Sequence, residues 1–136
     1  MEPSRKIEAN NGFTRLQHII FTLRGEGGCP WDIKQTPVSL KKYLLEECHE
    51  LAEAIDHGQE GEICEEIGDV MFILTMLIAM FSEQQRFTAD EVFGQITAKM
   101  IRRHPHVFSD TIITDERELH AQWEQIKMLE KESPLS

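Results

Sequence analysis

The stretch LLEECHELAEAID, residues 44–56, decides the fold. Its apolar residues recur at helical spacing, yet it carries five carboxylates. A second stretch, EEIGDVMFILTMLIAMF (65–81), runs from an acidic head into an almost wholly apolar helix. Apolar positions at i, i+3, i+4 and i+7 mark amphipathic helices, and no run in the chain alternates as a strand does. The expected fold is therefore all-α, an antiparallel bundle of about five helices.

Working outward, FTRLQHIIFTLR (13–24) is helical, with Leu16, Ile19, Ile20 and Leu23 on one side, and Gly25 stops it. GEGGCPWDIKQTP (25–37) reads as a turn-rich loop. Thr36 is placed to cap the next helix, with Pro37 at its first position, and that helix ends at His57-Gly58. A third helix runs from near Gly61 to about Gln85. Thr88-Ala89-Asp90-Glu91 has the capping-box pattern and opens a fourth, which ends before Pro105. HPHVFSDTII (104–113) reads as a connector. Thr114, Asp115 and Glu116 start a fifth helix that runs to about Lys131, with acid in its first turn as the helix dipole favours.

A helical wheel at about 100° per residue separates the acids. On the second helix Leu44, Cys48, Leu51 and Ile55 form the expected core stripe. Glu47 and Glu50 lie to one side with Leu40, Tyr43 and Ala54, while Glu46, His49 and Glu53 point away. On the third helix Ile63, Ile67, Val70, Met71, Leu74 and Ile78 form the expected main stripe. Glu66 and Asp69 lie on another side, continued by Ile73, Met76 and Met80, and the helix beyond Val70 is expected to be buried all round.

Buried carboxylates need a cation, a hydrogen-bond network or a proton. The pairs Glu47–Glu50 and Glu66–Asp69 form an all-oxygen set, which selects a hard divalent ion: Mg²⁺, with Mn²⁺ as a substitute. The plainer reading of any one of these acids is a solvated helix surface. Glu46 and His49 also stand at the ligand spacing of di-iron bundles, but no second such motif exists, and His49 points outward.

On the fourth helix Val92, Phe93, Ile96 and Met100 define the expected buried stripe, with Arg103 on it and Lys99 at its edge. Cations at a helix C-terminus are favoured in any case. The functional alternative is a pair, four apart, gripping phosphates. Trp123 reads first as core. Trp31, in a Gly/Pro loop, reads as a structural plug or a shelf for a base.

The remaining composition narrows the class. The 136 residues suit one domain, and a net charge of −10 argues against a general nucleic-acid binder. Cys29, Cys48 and Cys64 form no CxxC, which suits free thiols and a reducing, cytoplasmic setting. MEPSRKIEANNGF has no apolar core, so no secretory leader is expected. VMFILTMLIAMF is too short for a membrane span, which needs roughly 20 residues. No phosphate-binding Gly-x-x-x-x-Gly-Lys loop is present.

GGCPWDIKQT, LLEECHELAEAI, EEIGDVMFIL, RRHPHVF and WEQIK, in that order, resemble the MazG-type nucleoside triphosphate pyrophosphohydrolases over about residues 13–130. The resemblance implies a fold related to dimeric dUTPases, assembled as a homodimer or dimer of dimers. It implies Mg²⁺-dependent hydrolysis of a (d)NTP to the monophosphate and pyrophosphate. It places the metal on Glu47, Glu50, Glu66 and Asp69, and the nucleotide on Lys99, Arg103 and Trp123; Trp31, from its place in the Gly/Pro loop, is kept as a further candidate contact. The domain is expected over 13–131, between an N-terminal extension (1–12) and a tail (132–136). Longer members carry two copies and this chain carries one. Related domains act on dUTP, dCTP or phosphoribosyl-ATP, so these substrates stay open. The alternative from another class is a non-catalytic helical oligomerisation module.

Overall fold

The computed structural model describes residues 11–132. The expected extension and tail lie mostly outside that range. Among the described residues are seven helices and no strand: α1 (Gly12–Arg24), α2 (Pro30–Lys34), α3 (Pro37–His57), α4 (Glu60–Glu83), α5 (Ala89–Arg103), α6 (Pro105–Phe108) and α7 (Glu116–Glu132). The five long ones coincide with the helices read from periodicity. α2 and α6 correct that count, because the segments read as loop and connector each contain a short helix. Both begin on a proline at the first helical position, and neither is long enough to display a 3.6-residue period.

The caps follow from side-chain chemistry. Thr36 Oγ1 accepts the Ser39 N–H at 3.1 Å and Ser39 Oγ accepts the Thr36 N–H at 2.8 Å, so α3 opens on a reciprocal capping box. It closes at Gly58, whose φ of 73° lies in the left-handed region that a side chain disfavours. Only Gln59 then separates Gly58 from α4, so α3 and α4 form an antiparallel hairpin. At the start of α7 Asp115 Oδ1 accepts the Glu118 N–H at 2.9 Å, so Asp115 supplies the cap.

The chain divides into two compact units, one through Ala89 and one from Asp90. In the first, α1 packs on α4, and Ile20, Leu40, Ile73, Met76 and Met80 make the buried core. Arg24, at the end of α1, ties this unit together. Its Nε and Nη2 each donate to the Glu83 carboxylate at 2.9 Å, and Nη1 donates to the carbonyls of Asp32 and Gln35 at 2.6 and 3.2 Å. That clamp fixes α2 against both α1 and the end of α4. Gly28 permits the approach, since a Cβ there would collide with the Leu23 and Thr22 carbonyls.

The covered stripes are not the ones the wheel ranked first. Leu40 and Ala54 are buried on α3, and Ile73, Thr75, Met76 and Met80 on α4. Cys48 is exposed, Ile55 is 58% exposed, and Ile67, Met71 and Leu74 are between 37 and 47% exposed. Each helix carries two apolar stripes, and a wheel ranks stripes by apolarity, not by which one a neighbour covers. The covered stripe is the one that contains the acids. α5 likewise has no buried residue: Phe93, Ile96 and Met100, expected in the core, are 38–46% exposed.

In the second unit α5 and α7 are joined by side chains. Arg102 and Arg103 both donate to Glu130, and the Trp123 ring meets those of His104 and His120 at centroid distances of 5.9 and 5.4 Å. No helix among the described residues is long and apolar enough to cross a membrane. The three cysteines are free.

Candidate metal centre

Antiparallel pairing explains why the acids meet. Seven residues on from Leu40 in α3 comes Glu47, and seven back from Met76 in α4 comes Asp69. Two turns along both helices from a pair of core residues, the seam therefore presents carboxylates in place of methyl groups. Glu66 stands one turn before Asp69. Carboxylate oxygens of Glu47, Glu66 and Asp69 lie within 4.8 Å of one another.

The electrostatics of this cluster are unfavourable by themselves. Oε2 of Glu47 and Oε2 of Glu66 are out of contact with water and have no hydrogen-bond partner. Burial raises the pKa of both groups above the ordinary glutamate value. The Glu50 and Asp69 charges raise both further. An orphaned oxygen out of water is unfavourable unless something meets it. A divalent cation would meet these: the donors are all oxygen, two are half-buried, and exposed Asp69 leaves one side open to solvent. The three carboxylates thus fit a hard metal ion on the chemistry of the donor set.

Glu50, the fourth acid of the sequence reading, lies outside this three-oxygen set, but its side chain reaches both Glu47 and Glu66. His49 is exposed and pairs with Glu53 at 3.2 Å, away from the cluster. Trp31 packs against the core with its ring edge-on to Tyr43 at 5.4 Å, as a plug does. It also lines an open depression of about 570 Å³.

The MazG nucleotide pyrophosphohydrolase domain matches residues 35–108, which include all four acids, Lys99 and Arg103. The chain belongs to the MazG family.

This MazG chain is 44% identical over 124 residues to the nucleoside triphosphate pyrophosphohydrolase/pyrophosphatase MazG of Thermotoga maritima, covering 91% of this chain and 47% of that protein. It is 38% identical over 122 residues to the nucleoside triphosphate pyrophosphohydrolase of Escherichia coli K12, covering 89% and 46%. It is 47% identical over 119 residues to the uncharacterised Bacillus subtilis protein YabN, covering 88% and 24%. The chain thus spans from a quarter to a half of these relatives' length. Its fold is similar to a crystal structure of a MazG-related protein from Thermotoga maritima, with a TM-score of 0.70 and 28% identity, over 85% of this chain and 98% of that one.

Of the predicted phosphate and nucleotide residues, Lys99, Arg103 and Trp123 lie in the second unit of this MazG chain and Trp31 in the first. Lys99 and Arg103 are half-buried on α5, and Trp123 is half-buried on α7, beyond the matched span. Arg103 Nε and Trp123 Nε1 are buried donors without partners. Sequence reasoning missed Glu130, which takes both Arg102 and Arg103. The signal was available, since Trp123, Lys127 and Glu130 share one face of α7 at i, i+4 and i+7. It also missed Arg24, whose partners are brought near only by the fold.

Proposed function

We propose that this chain is a Mg²⁺-dependent nucleoside triphosphate pyrophosphohydrolase that releases a (d)NMP and pyrophosphate. The observation that carries the reading is the Glu47–Glu66–Asp69 cluster, with two carboxylate oxygens that lack partners. Family membership and relatives bearing that name support it.

Glu47, Glu66 and Asp69 would hold the metal, with Glu50 as a fourth ligand or the acceptor of the attacking water's proton. A bound divalent ion lowers the pKa of its water and neutralises phosphate charge. Attack is in line at the α-phosphorus, with no covalent intermediate. Lys99 and Arg103 grip the phosphates and stabilise the leaving pyrophosphate. Trp123 and Trp31 contact the nucleoside. The domain spans 13–131, acts in the cytoplasm, and assembles as at least a homodimer.

The test is a panel of the NTPs and dNTPs, including dUTP, together with phosphoribosyl-ATP, assayed for pyrophosphate with Mg²⁺ or Mn²⁺. Release from at least one, lost on chelation, is expected. No release from any, with no thermal stabilisation by Mg²⁺, would support the oligomerisation module instead.

A further inference from the structure

Arg102 and Arg103 end α5 with adjacent guanidinium groups, and a single carboxylate from α7 spans them. Glu130 Oε2 accepts from Arg102 Nε at 2.5 Å, and Oε1 accepts from Arg103 Nη2 at 2.9 Å. A carboxylate facing one arginine can fill Nε and Nη2 together. Divided between two, it leaves Arg103 Nε buried and unmet. Beside it opens a cleft of about 290 Å³ lined by Arg103, Lys127, Lys131, Glu124 and Glu130.

We propose that Glu130 is an internal stand-in for phosphate, which neutralises Arg103 in the free protein and is displaced when a polyphosphate binds. This rests on the reading that Arg103 takes phosphate. A phosphate group can meet Nε and Nη2 at once, so it satisfies the donor that Glu130 leaves empty. The two arginine hydrogen bonds hold the Glu130 carboxyl down to about 2, so it stays charged at working pH and leaves by displacement, not by protonation. The contact therefore sets affinity: it weakens polyphosphate binding and speeds the departure of pyrophosphate.

Calorimetric titration of inorganic pyrophosphate into the full chain at fixed Mg²⁺ tests this without turnover. Glu130→Gln should bind roughly three- to tenfold more tightly than wild type. The gain should vanish in an Arg103→Ala background. Equal or weaker binding by a Glu130→Gln protein of native helicity overturns the inference, as does a gain that survives without Arg103, or binding by neither protein. If Glu130→Gln does not fold, Glu130→Asp, too short to bridge both arginines, carries the same test with a smaller gain. Pyrophosphate binding with these signs but no hydrolysis of any nucleotide would overturn the proposed activity and leave this inference standing. Hydrolysis with unchanged pyrophosphate affinity would do the reverse.

Discussion

Glu47 on α3 and Glu66 on α4 each hold one carboxylate oxygen out of water with no partner, in one cluster with Asp69. Such a pair destabilises the metal-free protein. The folded pKa values are raised, so between the ordinary value of 4.5 and the raised values the folded state binds more protons than the unfolded state. Stability without metal should therefore fall as pH rises through that window. Glu66→Gln should flatten this slope and leave the metal-free protein as stable as wild type or more so. It should also abolish stabilisation by Mg²⁺. Melting curves across pH, with and without Mg²⁺, provide the check. A metal-free melting temperature that drops on Glu66→Gln would show the carboxylate to be satisfied in some other way.

Asp69→Asn keeps size and helix register but removes one of the three charges proposed to hold the metal. Mg²⁺-dependent pyrophosphate release should fall by about a hundredfold or more, each tenfold corresponding to about 1.4 kcal/mol of barrier. Far-ultraviolet dichroism should be unchanged. Retained activity would take Asp69 out of the metal set.

The helices were legible because their signals are local. Thr36, Pro37 and Gly58 mark the ends of α3, and apolar periodicity fills the interior. The orientation of α3 and α4 was not legible. Both carry a second apolar stripe, and only the neighbour decides which is covered, so Ile67, Met71 and Leu74 were expected inside and are substantially exposed. Glu47 and Glu66 are half-buried while Glu50 and Asp69 are exposed, and the meeting of Glu47, Glu66 and Asp69 depends on a register between helices that one helix cannot reveal. Arg24 and Glu130 act on residues distant in sequence, and nothing beside them announces those partners.

Arg24 should be among the costliest side chains to remove from the first unit. Arg24→Ala removes a donor from the Asp32 and Gln35 carbonyls, leaving Asp32 only the Gln35 N–H at 3.4 Å, and frees Glu83. The expected loss is about 2–3 kcal/mol. Arg24→Lys should recover little of it, because one ammonium cannot span a carboxylate and two carbonyls in a planar fork. Urea unfolding of the three proteins measures this, and a Lys variant equal to wild type would refute the clamp.

The apolar stripes left open on α3 and α4 lead to the last prediction. Ile55, Ile67, Met71 and Leu74 are 58, 47, 37 and 39% exposed, on the sides of the two helices not used for the core. Scattered exposed apolar residues are ordinary, but Ile67, Met71 and Leu74 form a row along α4 of the kind that marks an interface. If the proposed homodimer forms, this face is the first candidate for the contact. Sedimentation should give a species of at least twice 15.8 kDa at micromolar concentration. Met71→Glu, which places a charge in the middle of the α4 row, should shift it toward monomer with little change in the helicity of each chain. A wild-type monomer at that concentration would remove the dimer from the proposal. A dimer that tolerates Met71→Glu would move the contact elsewhere, with the exposed Phe93, Ile96 and Met100 row of α5 as the next face to test.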